Sequence, residues 1–308
     1  MKNIYINAAN EDWIADRFKE EWIKHNSKEF NITSSAKAEI IWILSPWTWN
    51  NIPKRHLKNK KVFCTIHHID VDKFNSSEEK EFEKRDIYVD QYHITTRKTY
   101  NFLSEITDKP IIEIPFWVNQ NLWHFKSDKI NLRKKYNLAS TDFLIGSFQR
   151  DTEGKDLISP KLSKGPDRFI EIVKHLKENT PNLHVVLTGK RRQYMMENLN
   201  KNGIKFSYFE MTNFEELNDL YNILDLYIVA SRVEGGPQSI LECALTKTPL
   251  ISTDVGVASK ILSQESIFDM DNYLDAVPNI EAAYLNVKKY TIPEGFLKFN
   301  LEFLKNEN

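Results

Sequence analysis

The stretch SRVEGGPQSILECALTKTPLISTDVG, residues 231–256, sets two carboxylates, Glu234 and Glu242, on either side of Gly235, Gly236 and Pro237. Two glycines let the backbone turn tightly and approach a ligand closely. Proline suits the first turn of a helix, where its missing N–H would have no partner anyway. The spacing therefore predicts a helix over 237–245, preceded by a tight loop and followed by an apolar strand at 249–252. Backbone N–H groups and the positive dipole end at such a helix start suit an anion, most naturally a phosphate. Glu234 falls in the loop before that seat and Glu242 about one and a half turns inside the helix. A sugar joined through a diphosphate to a ribose fits this order, with one carboxylate for hydroxyls at each end.

Working outward, DLYNILDLYIVASRVEGG (residues 219–236) reads as helix, aspartate, apolar strand and loop, and TPLISTDVG (248–256) as strand and turn. The whole segment resembles the Glu-x7-Glu signature of the family 4 retaining glycosyltransferases. That resemblance implies the GT-B fold: α/β, two Rossmann-like doubly wound domains facing a cleft. It also implies an enzyme that moves a sugar from a nucleotide-diphosphate sugar to a hydroxyl acceptor.

Composition is compatible with this. The 308 residues suffice for two domains, and 41% hydrophobic with 28% charged residues is a globular balance. With 42 basic against 43 acidic residues, bulk charge gives no reason to expect a nucleic-acid partner. The sequence shows neither a spanning apolar run nor a signal-peptide core, so a cytoplasmic location is expected. Cys64 and Cys243 are expected as buried free thiols.

In the N-terminal part, strands are expected at 3–7, 39–44, 61–66, 91–95 and 111–114. Asn10 is placed to cap a helix whose Ile14, Phe18 and Trp22 recur every four residues, with Trp13 and Ile23 alongside. A second alternating unit has strands at 143–147, 183–187, 205–209, 224–229 and 249–252, with helices at 167–178 and 214–223. The expected organisation is an acceptor-side domain over 1–117, a nucleotide-sugar domain over 118–290 and a terminal helix over 291–308. The resemblance implies that this last helix, with Phe296, Leu297, Leu301, Phe303 and Leu304, returns to the first domain. The boundary stretch IPFWVNQNLWHF carries Phe116 and Trp117 where the family usually has Asn-Gly.

The connection IGSFQRDTEGKDLISPKLSKGPDRF (145–169) runs from strand end to helix start. The resemblance implies cations here that offset charge on a departing diphosphate, with Gly146 and Ser147 at the donor. Lys164–Gly165 matches the family's Lys-Gly. Ser147 occupies the family's arginine position, which leaves Arg150, three residues on, as the second cation, with Lys155 and Lys161 as competitors. Gly235, Gly236, Pro237 and Gln238 would line the phosphate seat, Glu234 the sugar and Glu242 the ribose.

In VFCTIHHID, His67 and His68 follow a strand and face opposite ways; the resemblance favours His67 as a hydrogen-bond partner of a sugar hydroxyl. Asp70-Val71-Asp72 has the Asp-x-Asp spacing of a metal–diphosphate motif, but Asp269-Met270-Asp271 repeats it elsewhere. No metal and no cofactor beyond the nucleotide sugar is expected. The tryptophans and basic run of SPWTWNNIPKRHLKNKK (45–61) read as a solvated face beside core aromatics, with peripheral contact at the inner membrane face as the alternative. The expected partners are the nucleotide-sugar donor and a glycan or lipid-linked acceptor of surface polysaccharide or lipopolysaccharide synthesis. A nucleotide-sugar epimerase and a catalytically silent GT-B subunit are the rival readings.

Overall fold

In the computed structural model of the protein, which describes residues 1–11, 14–154 and 156–305, the chain forms two compact units, Met1–Phe116 with Pro293–Asn308, and Trp117–Ile292. Each is built on a six-stranded, wholly parallel sheet. Trp13 and Lys155, named above, lie outside the described residues.

The first unit's strands are β1 (Lys2–Asn7), β2 (Phe30–Ile32), β3 (Ile40–Ile43), β4 (Lys61–Ile66), β5 (Gln91–Ile94) and β6 (Ile111–Glu113), in the order β2-β1-β3-β4-β5-β6. β3 and most of β4 are buried on both faces, which is why they read as continuous apolar runs and not as alternation. The three-residue edge strand β2 is too short to leave a pattern, and the sequence reading has no strand there. Asn10 sits at φ 55, and its amide donates to Asp16 Oδ1 at 2.9 Å, which ties the chain entering the helix Ile14–Asn26 to the helix's first-turn aspartate; residues 12 and 13, between them, lie outside the described residues.

The terminal helix Leu297–Leu304 covers this unit's aromatic core. Phe303 lies 5.1 Å from Trp42, 5.8 Å from Trp22 and 5.0 Å from Phe63, centroid to centroid, and Phe299 5.4 Å from Trp42. Asn300 Oδ1 accepts from the Trp22 indole at 3.1 Å while its amide donates to Asn26 at 2.6 Å. The buried face is thus Phe296, Phe299, Asn300 and Phe303, a three-four spacing. Leu297, Leu301 and Leu304, expected on the buried stripe, are exposed. A second internal chain is fully assigned: the Trp42 indole donates to Thr65 Oγ1 (2.9 Å), Thr65 to His93 Nδ1 (3.0 Å), and His93 Nε2 to Ile114 O (2.7 Å).

The second unit contains β7 (Phe143–Ser147), β8 (Leu183–Thr188), β9 (Lys205–Phe209), β10 (Leu226–Val229), β11 (Leu250–Thr253) and β12 (Ile267–Phe268), ordered β12-β11-β10-β7-β8-β9. This is the doubly wound order, whose direction reverses between β7 and β10. Helices Phe214–Ile223 and Pro166–Asn179 form where the periodicity places them, the first closed by a capping box of Asn213 and Glu216. Cys64 and Cys243 are buried and free, one in each unit, and burial pushes the Cys64 thiol up to about 11.

Candidate functional site

The polar cluster of the second unit lies where its sheet reverses, beyond the carboxyl ends of β7 and β10. Gly165 brings its pieces together. It takes φ +63, and a Cβ there would stand 1.9 Å from the Ala230 carbonyl oxygen, so only glycine lets the β7 connection rest on the end of β10. The contact is stitched by backbone: Ser163 O accepts from Arg232 N at 2.8 Å and Val233 N at 3.1 Å. Gln149 Nε2 donates to Lys164 O at 2.9 Å. Arg232 forks onto Asp167 at 2.7 and 2.6 Å; burial alone would raise that carboxyl, but the guanidinium outweighs it and holds it below its ordinary range.

Two candidate residues meet on this frame. Lys164 Nζ is 2.6 Å from both carboxylate oxygens of Glu234, whose side chain is 6% exposed, and Ser231 Oγ donates to Glu234 Oε1 at 3.1 Å. The chain then turns through Gly235 and Gly236 into the helix Gln238–Thr246. Pro237 occupies the capping position, extended at φ −61 and ψ 113, one residue earlier than the first-turn place expected of it. The turn after β11 closes on this segment: at Gly256 (φ +60) a Cβ would lie 2.4 Å from Pro237 Cδ and 2.9 Å from Gly236 Cα. Glu242 is buried in the helix and accepts from the Tyr221 hydroxyl at 2.8 Å; burial, with the carboxylate beside it, drives the Tyr221 phenol well above its usual value.

The remaining candidates are dispersed. Arg150 is exposed and donates from Nε to Thr152 O at 2.7 Å, on its own loop. Lys161 serves the same excursion through its backbone, which donates to Asp151 O at 2.8 Å. An unexpected arginine holds that loop's base. Arg192, fully buried, donates to Ser147 O at 2.6 Å, Thr188 O at 2.7 Å and Asp151 Oδ2 at 2.8 Å, and to Ser147 Oγ at 3.2 Å. Ser147 therefore meets an arginine in space that it lacks in sequence. Gly146 is within β7, where a Cβ would come 2.3 Å from Leu224 Cδ1, so its smallness serves packing. Neither Arg192, one of two arginines after a lysine, nor Tyr221 in an ordinary helix carries a sequence signal of its role.

His67 belongs to the first unit, at the end of β4. Its Nε2 donates to Leu44 O at 2.9 Å, its ring stacks on Phe116 at 5.7 Å, and burial lowers its pKa to about 4. The neighbouring His68 is exposed. Asp70 precedes a single turn, Val71–Lys73, and the Asp72 side chain lies outside what is described. Asp269 Oδ1 accepts from Asp271 N (2.9 Å) and Asn272 N (3.2 Å), a turn-closing role. Among the described residues no group of three or more His, Cys, Asp or Glu side chains is placed to hold a metal. Nor is any described helix long and apolar enough to cross a membrane.

A family model described as Glycosyl transferases group 1 matches residues 130–290, more than half of the chain. The chain belongs to that family. Among curated relatives of this group 1 chain, the lipopolysaccharide core biosynthesis mannosyltransferase LpsB of Rhizobium meliloti is 24% identical over 143 residues, 44% of this chain and 38% of that protein. Alpha-galactosylglucosyldiacylglycerol synthase of Streptococcus pneumoniae is 22% identical over 230 residues, 66% of this chain and 56% of that one. The chain thus spans well under two thirds of the length of either relative. Among solved structures, Anabaena HepE in complex with UDP-glucose superposes with a TM-score of 0.73 at 13% identity, covering 99% of this chain and 100% of that one. The fold of this group 1 chain is accordingly GT-B.

Proposed function

We propose that the chain is a retaining, metal-independent glycosyltransferase of family 4, transferring a sugar from a nucleotide-diphosphate sugar to a hydroxyl acceptor in surface polysaccharide or lipopolysaccharide synthesis. One observation carries the proposal. Lys164 and Glu234 converge at the switch point of a doubly wound sheet, directly before a Gly-Gly-Pro turn into a helix that buries Glu242. Such a switch point is where open α/β sheets bind ligands.

In this reading the diphosphate sits against Lys164 and the amides of Gly235, Gly236 and Gln238, Glu234 holds the sugar, and Glu242 the ribose. Arg150, bonded to its own loop, is the weaker second cation. The lysine and the helix start supply positive charge where it builds on the leaving group, so no metal is required. The acceptor oxygen bonds to the anomeric carbon on the face from which the phosphate oxygen departs. The acceptor's proton passes to that phosphate oxygen. His67, uncharged near neutral pH, is suited to hydrogen-bond a hydroxyl and not to carry charge.

UDP-glucose is the first donor to try, since it is the ligand of the HepE complex. A thermal-shift panel of UDP, GDP, ADP, TDP and CMP with their sugar conjugates tests the site: a ligand at a hundred times its Kd stabilises by about 2.7 kcal/mol. One nucleotide diphosphate should stand out and weaken in Glu242→Ala. Stabilisation by none of them would reject the donor site and favour a silent subunit. Conversion of the donor without acceptor would favour an epimerase. An inverted product in an anomer-resolved NMR spectrum would reject retention, and loss of turnover in EDTA would reject metal independence.

A further inference from the structure

Glu242 is 5% exposed, and burying a carboxylate costs more than burying the glutamine or methionine that would fill the same space. One of its oxygens is held by Tyr221, on the helix Phe214–Ile223, whose hydroxyl donates to Glu242 Oε2 at 2.8 Å. Burial drives this phenol well above its usual value, so it keeps its proton and stays a donor. Its ring is wedged among aromatic neighbours, with centroids 4.9 Å from Phe148, 5.6 Å from Tyr227 and 5.8 Å from Trp123. The same two residues are tied a second time through their backbones. The buried hydroxyls of Thr246 and Thr248 lie 2.8 Å apart, the first 2.9 Å from Glu242 O and the second 2.9 Å from Tyr221 O. Tyr221, Glu242, Thr246 and Thr248 thus close a polar ring between the two helices.

A carboxylate with Oε2 pinned and its backbone fixed cannot turn to follow a ligand. It presents its acceptor lone pairs in one plane and suits only hydroxyls that stand there already. The neighbouring 2′- and 3′-hydroxyls of a ribose are donors of that kind. A 2′-deoxyribose lacks one of them, and a site built to hydrogen-bond a hydroxyl rejects the analogue without it. Packing alone does not account for the tyrosine, because a phenylalanine makes the same ring contacts with no hydroxyl to satisfy.

We propose that Tyr221 is the positioning residue for ribose recognition: its hydroxyl locks Glu242 in the orientation that admits ribonucleoside diphosphates and turns away their 2′-deoxy forms, thymidine diphosphate among them. The placing of Glu242 at the ribose rests on the transferase reading above; the role of Tyr221 rests on the hydrogen-bonded ring.

Isothermal titration of the full chain with UDP, GDP and ADP, with the 2′-deoxy form of each and with thymidine diphosphate tests it. The nucleotide that binds should do so about ten-fold or more tightly than its 2′-deoxy form. Tyr221→Phe keeps the ring and should bring that ratio below about three-fold, chiefly by weakening the ribose form. Glu242→Gln should lower the ratio too, and adding Tyr221→Phe to it should change the ratio no further, because the phenol acts through the carboxylate. A purely structural tyrosine would weaken both forms alike; an unchanged ratio in Tyr221→Phe therefore overturns the proposal. So does a wild-type ratio near one, a further drop in the double variant, or thymidine diphosphate binding more tightly than every ribonucleotide. Should thermal unfolding show that Tyr221→Phe does not fold, Thr248→Val, which opens the ring on its other side, must lower the ratio in its place, and an unchanged ratio there overturns the proposal equally. A wild type that binds none of these nucleotides removes the donor reading and this role with it, whereas binding without dependence on Tyr221 removes this role alone.

Discussion

Removing the Lys164 ammonium should unmask how strongly the second unit depends on its pairing with Glu234. The carboxylate is 6% exposed and the lysine side chain 24%, and both oxygens lie 2.6 Å from Nζ. Truncating one partner of a fully buried pair costs roughly 3–5 kcal/mol, whereas a charge-assisted hydrogen bond contributes about 1.5–3 kcal/mol. Because water reaches the lysine, the lower range applies, and Lys164→Met should destabilise the unit by about 2 kcal/mol. Glu234→Gln should cost a similar amount. The double variant should cost little more than either single one, giving a coupling of about 1.5–2 kcal/mol. Differential scanning calorimetry follows the transition of the second unit, where about 2 kcal/mol corresponds to a Tm loss of roughly 4–8 °C. Under the proposed function, Lys164→Met also lowers turnover about 10²–10³-fold, as does loss of a donor aimed at developing negative charge. Strict additivity, with a coupling under about 0.5 kcal/mol, would refute the pairing, because independent groups give no cycle term.

Gly165→Ala forces a left-handed alanine, which costs about 1–2 kcal/mol before any clash, and sets its Cβ 1.9 Å from Ala230 O; the second unit should lose stability by more than that figure, as calorimetry would record, and under the proposed function it should also lose nucleotide binding. Phe303→Ala empties a space shared by Trp22, Trp42 and Phe63 and should destabilise the first unit by about 3–5 kcal/mol, seen as an earlier denaturant midpoint for its tryptophan signal; a change under about 1 kcal/mol would place the terminal helix elsewhere. Acid should weaken the first unit through its histidines: burial lowers His93 to about 3 and His67 to about 4. The unfolded chain then binds more protons than the folded one between about pH 6.5 and pH 4, so stability is intact above that window and falls as pH falls through it, by up to about 1.4 kcal/mol per pH unit for each histidine. Urea midpoints from pH 7 to pH 4, compared with His93→Gln, measure the slope, and a flat profile would contradict buried neutral imidazoles.

Much of the architecture was legible because its signals are local. Apolar runs of four to six residues marked the long strands, and Lys164-Gly165 and Glu234-Gly235-Gly236-Pro237 are contiguous motifs whose backbone chemistry can be read from residue type. The edge strands β2 and β12 escaped because three and two residues carry no periodicity. The terminal helix was legible as amphipathic, but its buried face shifted from Leu301 and Leu304 to Phe299 and Asn300. Aromatic volume and the Asn300 bond to Trp22 decided that face, and hydrophobicity alone did not.

Sequence by itself determined the doubly wound class, the glycine-bearing turn and the two glutamates, since each depends on short-range spacing and steric rules. Tertiary structure alone decided which charges meet. Lys164 reaches Glu234 because Gly165 can press against the Ala230 carbonyl, whereas Arg150 bonds to its own loop and Arg192 takes the place beside Ser147. Long basic side chains occupy whatever site best satisfies their donors once the strands are packed, and seventy residues of intervening chain leave no trace of that choice in a local pattern.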